Sequence, residues 1–202
     1  MENAAHGLTR RKKYPIILLF IFAAAWIVLA IRPYHRGDWL LENILVFVCL
    51  PLCVIAYLRG MLSSLSWTYI FIFLLLHSVG AHYTYSEVPF AMTISEAFGW
   101  ERNHYDRFVH FAFGLFLCCP LKEILSPKIT CGNVLLNLIV FCMIVSLGAA
   151  YEILEWLTAI IVSPETGTAY LGTQGDEWDA QKDILCKLAG AASIFLYKKV
   201  RA

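Results

Sequence analysis

Glu152 and Glu155 stand in the segment Tyr151-Glu152-Ile153-Leu154-Glu155-Trp156, directly after the apolar run 134–150. Residues three apart share a helix face, and a charge at membrane depth costs about 2.5–3.5 kcal/mol on insertion scales. Something polar must therefore meet this pair. Pairing with a base on a neighbouring helix, for which Lys187 is available, would make the acids structural. A carboxylate left over from such pairing would instead be available as a general base.

Three further segments carry side chains of the same kind. His77 and His82 lie five apart and point about 140° away from each other on a regular helix. They reach one site only if the helix distorts near Gly80, which glycine permits. Asp106 and His110 lie four apart on one face. Asn103 is a good N-cap, so Asp106 falls in a first turn, where the helix dipole favours an acid. No cap accounts for His110, more than a turn into an apolar stretch. Asp176, Asp179 and Asp183 follow i, i+3, i+7 spacing, and a single cap explains one of them rather than three. Asp183 and Lys187 are also spaced to pair at i, i+4.

His77, His82, Asp106, His110, Asp176, Asp179 and Asp183 thus form a mixed imidazole and carboxylate donor set. Helical bundles build metal sites from such ligands on facing helices. The mixture suits a single divalent transition metal (Zn, Fe or Mn) better than Ca or Mg. The expected chemistry is metal activation of a water for attack on a lipid or lipid-linked substrate, with Glu152 or Glu155 as general base. Two alternatives belong to other classes. In one, the polar residues only cap and pair helix ends of a structural or partner-binding membrane protein. In the other, they relay protons in a coupled transporter, against which the lack of an inverted repeat argues. No HExxH, GxSxG or P-loop motif is present, which argues against serine hydrolysis and nucleotide coupling.

The elements that must position these residues follow from composition. The chain is 59% hydrophobic and 15% charged, against about 25% charged in an average soluble domain. It reads as one all-α, polytopic membrane bundle. At about 20 residues per crossing, six spans are predicted, roughly at 15–32, 39–58, 65–83, 106–125, 134–158 and 183–199. A short interfacial helix is expected at 93–98, with capping-box spacing from Thr93 to Glu96 and Gly99 as its stop. Arg10 to Lys13, Arg59, Lys122, Lys128, Lys198, Lys199 and Arg201 fall on one side, placing both termini in the cytoplasm and the 84–105 and 159–182 connections outside. The basic N-terminus resembles a signal peptide, but the apolar run after it is too long for one and no cleavage site follows. The seven cysteines lie mostly in apolar runs and read as small buried hydrophobes. A net charge of +1 without a basic stripe predicts no nucleic-acid partner.

At these segments the chain resembles the YjdF-like family of bacterial inner-membrane proteins, a domain of unknown function. The likeness rests on Tyr83-Thr84-Tyr85-Ser86-Glu87-Val88-Pro89, Arg102-Asn103-His104-Tyr105-Asp106-Arg107, His110-Phe111-Ala112, the segment 151–156 and the segment 171–181. Val109 and Phe113 depart from that pattern, which has glycine and glutamine at those places. The resemblance implies a multi-pass protein of the bacterial inner membrane and assigns no activity.

Overall fold

The protein is described by a computed structural model covering the backbone of residues 2–196 and the side chains of residues 13–195. The end of the last predicted span and Lys198, Lys199 and Arg201 lie outside the described residues, as do the side chains of Arg10 to Lys12. Eight helices and no strand occur among the described residues: α1 (Glu2–Leu29), α2 (Arg36–Leu58), α3 (Ser64–His82), α4 (Pro89–Phe98), α5 (Tyr105–Leu125), α6 (Asn133–Ile161), α7 (Pro164–Leu171) and α8 (Asp179–Leu196).

Helices α2, α3, α5 and α6 are long and apolar enough to cross a membrane, and α1 contains the shorter apolar stretch Lys13–Leu29. Helix α8 carries Asp179, Lys182, Asp183 and Lys187, so its composition alone does not mark it. Over its described residues it is not among the helices long and apolar enough to cross, and it lies against α5 and α6. The distribution of side chains is inverted relative to a water-soluble protein. Phe20, Val28, Leu52, Ile160 and Ile161 are exposed, whereas Asp38, Glu42, Asn43, His77, Asp183 and Lys187 are buried. Apolar side chains outside and ionisable ones inside are what a bilayer solvent selects.

Helix α5 is the hub, flanked by α8, α3 and α6. Its approach to α8 depends on Gly114 and Gly190. A Cβ on Gly114 would stand 2.0 Å from the Lys187 carbonyl oxygen, and one on Gly190 would stand 2.1 Å from that of Phe111. Small residues that let backbones meet are how membrane helices gain packing without a hydrophobic drive. Helix α1 lies along α3, and its Trp26 donates to Asn43 of α2 at 2.5 Å. Helix α2 packs on α3 and α7 but not along the length of α6, and α7 closes against α6.

The connections differ from expectation in two places. The surface helix begins at Pro89 rather than at residue 93, because proline is favoured at the first helical position. Thr93 is therefore inside it, its hydroxyl donating to the Pro89 carbonyl at 3.2 Å instead of capping. Gly99 ends it in the left-handed region at φ 67°. The connection expected at 159–182 contains α7, capped by the Ser163 hydroxyl, which accepts from the Thr166 N–H. Helix α3 runs unbroken past Gly80, whose missing side chain makes room for another residue: a Cβ there would lie 2.4 Å from the Tyr85 ring.

Candidate active site

The polar residues gather where α2, α3, α5, α6 and α8 meet, at the end of the bundle that bears α4 and α7. The starts of α5 and α8 are fixed first. The N-cap of α5 is His104, which makes no side-chain cap bond, rather than the expected Asn103; Asn103 accepts the Tyr105 N–H at 3.0 Å just ahead of the helix, and Asp106 lies in the first turn. Asp176 performs the same role before α8, accepting the Trp178 N–H at 3.1 Å. The Gln174 side chain then clamps the Asn103 backbone, accepting its N–H at 2.9 Å and donating to its carbonyl at 3.0 Å. Arg102 donates to the Thr173 carbonyl and meets Asp179 at 2.5 Å. Arg107 meets Asp176 at 2.5 Å and Asp179 at 3.5 Å.

Asp176 and Asp179 are therefore held by guanidinium groups at the rim. Lys182 reaches both Asp176 oxygens, at 2.9 and 2.7 Å, and this ammonium, with Trp178 N–H and Arg107, lowers the Asp176 pKa from 3.8 to about 2. A depressed carboxyl pKa stabilises the fold above the unfolded value and loses that contribution as pH falls through the folded one. Thermal unfolding of wild type and Asp176→Asn should differ at neutral pH and converge as pH drops from 3.8 toward 2.

Below the rim, His110 Nε2 lies 2.9 Å from Asp106 Oδ1 on its own helix and 4.0 Å from Asp183 Oδ2 on α8. One ligand atom from each of Asp106, His110 and Asp183 lies within 4.8 Å of the others. Asp183 is 2% exposed, and its Oδ1 has no hydrogen-bond partner. Among the described residues this is the one His, Cys, Asp and Glu grouping with metal-ligand spacing. The donors are two carboxylates and an imidazole, a set that fits a transition-metal ion.

Lys187 turns to α6 rather than to Asp183. Its ammonium donates to Glu152 and lies 5.4 Å above the Tyr151 ring, threading past Gly148, where a Cβ would come within 2.6 Å of its stem. The base therefore satisfies one of the two α6 acids. Glu155, half-buried, has no hydrogen-bond or ion-pair partner among the described residues.

His77 and His82 separate as a regular helix requires. His82 Nδ1 donates to the Leu29 carbonyl at 2.7 Å, tying α3 to α1 away from the cluster. His77 turns inward, with Nε2 donating to the Glu42 carbonyl at 3.0 Å and Nδ1 accepting from the Tyr85 hydroxyl at 2.5 Å. Both ring nitrogens are engaged. Thr84 and Tyr85 hold φ of 51° and 54°, a sparsely populated conformation that delivers the Tyr85 ring into the space over Gly80. Burial raises the Tyr85 pKa well above 10, and the carboxylates of Glu42, Asp106 and Glu155 raise it further. That phenol stays protonated.

With this geometry in place, comparison with known proteins is decisive on kinship. The family described as predicted membrane protein (DUF2238) matches residues 14–201. The chain belongs to that family. The inner membrane protein YjdF of Escherichia coli (strain K12) is 33% identical over 168 residues, which cover 83% of this chain and 80% of the relative. No solved structure matches.

In this DUF2238 chain the site includes residues that sequence reasoning passed over. Glu42 of α2 is 3% exposed and accepts from the Tyr151 hydroxyl at 3.0 Å. Asp38, one turn earlier, is 1% exposed. Their i, i+4 spacing at the head of an apolar helix was the available signal, masked by the favourable dipole for an acid at Asp38. Tyr85, Tyr151 and Tyr170 are phenols inside or beside apolar segments, where nothing in the sequence separates an interfacial aromatic from a site residue.

Proposed function

We propose that this multi-pass membrane protein is a metal-dependent enzyme of the bacterial inner membrane, acting on an ester of a lipid or lipid-linked substrate. In this reading Asp106, His110 and Asp183 hold one divalent transition metal, and Glu155 is the general base. The observation that carries it is the convergence of three ligand atoms from two helices within 4.8 Å, with the buried Asp183 Oδ1 left unpartnered. Uncompensated polar atoms at membrane depth are costly, and a cation is what two carboxylates and an imidazole would receive there.

A bound metal would supply a water of lowered pKa and a Lewis acid. Glu155 would serve as the carboxylate that holds the proton released on attack and returns it to the oxygen of the departing alcohol. Glu152 is neutralised by Lys187 and so leaves this task to Glu155. Arg102 and Arg107 hold Asp179 and Asp176, and with them the register of α8 against α5 on which the ligand geometry depends. The location within spanning helices supports a substrate drawn from the bilayer, and the relative's description as an inner membrane protein supports the compartment.

Elemental analysis of protein purified in detergent should give about one Zn, Fe or Mn per chain. His110→Ala and Asp183→Asn should each lose the metal by more than tenfold in affinity, as removal of a ligand does, while Asp176→Asn retains it. Folded wild-type protein that stays metal-free after incubation with each of the three ions overturns the reading.

A further inference from the structure

We infer that the side of the polar interior formed by α2, α6 and α7 binds the primary ammonium head group of an amine-bearing membrane lipid. This names a substrate class for the enzyme proposed above and in that sense rests on that reading; of its residues only Glu155 is shared with it, and Asp38 and Glu42 are not.

Three carboxylates stand there without a matching base. Asp38 is 1% exposed, and neither of its carboxylate oxygens has a hydrogen-bond partner. Glu42, four residues on and on the same face of α2, receives a single phenol, that of Tyr151. Glu155 has no partner among the described residues. The nearest cations are committed elsewhere: Lys187 to Glu152, Arg102 and Arg107 to the rim aspartates. His77 lies 3.9 Å from Glu42, but its Nε2 is engaged by the Glu42 carbonyl and its Nδ1 by the Tyr85 hydroxyl. The α7 phenol Tyr170 is within electrostatic reach of Glu42, Glu155 and Asp38, which together with burial push its pKa up. Geometry links the acids through Tyr151, which donates to Glu42 and stands one helical turn before Glu155, while Asp38 stands one turn before Glu42.

The chemistry selects the cation. Asp38, Glu42 and Glu155 are not grouped at metal-ligand spacing, unlike Asp106, His110 and Asp183, so an organic cation suits them better than a metal ion. The rings of Tyr151 and Tyr170 beside them favour an ammonium. Carboxylate oxygens lacking donors call for N–H groups, which a primary ammonium has and a quaternary one lacks. The source is indicated by the packing. Helix α2 does not run along α6, Tyr151 and Glu155 are half-buried on the side where Tyr151 reaches Glu42, and the helix faces around them are apolar. A lipid head group can arrive there laterally.

Binding would be measured by native mass spectrometry and thermal unfolding in detergent. The probes are dioleoylphosphatidylethanolamine, its N-acetyl derivative, dioleoylphosphatidylglycerol and free ethanolamine. The amine lipid should bind at least about tenfold tighter than the N-acetyl derivative, the advantage expected of a charge-assisted hydrogen bond. Asp38→Asn and Glu42→Gln should each remove most of that preference, and Asp38→Asn should unfold at a higher temperature than wild type when no lipid is added. Equal binding of the amine lipid and its N-acetyl derivative overturns the site, as does an undiminished preference in both variants. Free ethanolamine matching the lipid overturns the lipid assignment. His110→Ala should keep the amine preference. A preference retained in metal-free protein would therefore leave this site standing while the metal reading fails, and the reverse pattern would do the opposite.

Discussion

Replacing Lys187 with Met should destabilise the protein by about 3–5 kcal/mol, because it strands the buried carboxylate of Glu152. Lys187 is 2% exposed and Glu152 is 8% exposed. The ammonium meets Glu152 and lies 3.4 Å from the Gly148 carbonyl. Removing both charges tells a different story. Lys187→Met combined with Glu152→Gln leaves no ion in the apolar interior, and a buried pair exchanged for uncharged residues of similar volume is often neutral or stabilising. Unfolding in detergent by a denaturant or temperature series should place the double variant much closer to wild type than either single one. A double variant as unstable as Lys187→Met would mean that the stem of Lys187 against Gly148, rather than its charge, sustains the packing.

The second large effect is steric. Gly190→Ala puts a methyl group 2.1 Å from the Phe111 carbonyl oxygen, and Gly114→Ala puts one 2.0 Å from that of Lys187. Backbone, unlike a flexible side chain, cannot swing aside, so α5 and α8 must separate. Overpacking costs about 1–3 kcal/mol and sometimes more, and these contacts belong at the upper end. Separation also pulls Asp183 from Asp106 and His110, so metal content should fall together with the unfolding temperature. Gly99→Ala is the control. It has a positive φ but nothing within 4 Å of the added Cβ, and it should cost about 1 kcal/mol with metal retained.

These two expectations mark what kind of information each level of description carries. The pairing of α6 with a base on α8 was legible from residue types, since an acid in an apolar run requires a partner and Lys187 is the base of the adjacent span. Which of Glu152 and Glu155 it would choose was not legible. Both lie on one helix face, and the choice depends on the groove left by Gly148. The α4 stop at Gly99 was a local signal and appears as such, whereas the cap of α5 falls on His104, one residue after the expected Asn103. The start of α4 was set by Pro89 at its first position, a local signal that the Thr93 spacing obscured.

The donor set shows the limit most directly. From sequence, His77, His82, Asp106, His110, Asp176, Asp179 and Asp183 were equivalent members of one polar end. Three-dimensional packing divides them. Arg102 and Arg107 hold Asp176 and Asp179 at the rim, the Leu29 carbonyl takes His82, and Glu42 with Tyr85 takes His77. Only Asp106, His110 and Asp183 are left facing one another.

By itself the sequence determined an all-helical membrane protein, its family, and the end of the bundle where its ionisable residues gather. Hydropathy, helical period and capping are properties of contiguous residues, and they are written in the chain order. The tertiary structure alone decided which acids are neutralised, that α2 contributes Asp38 and Glu42, and which three ligand atoms meet. Those outcomes depend on helix crossings set by glycines and on side chains far apart in the chain competing for the same buried partners.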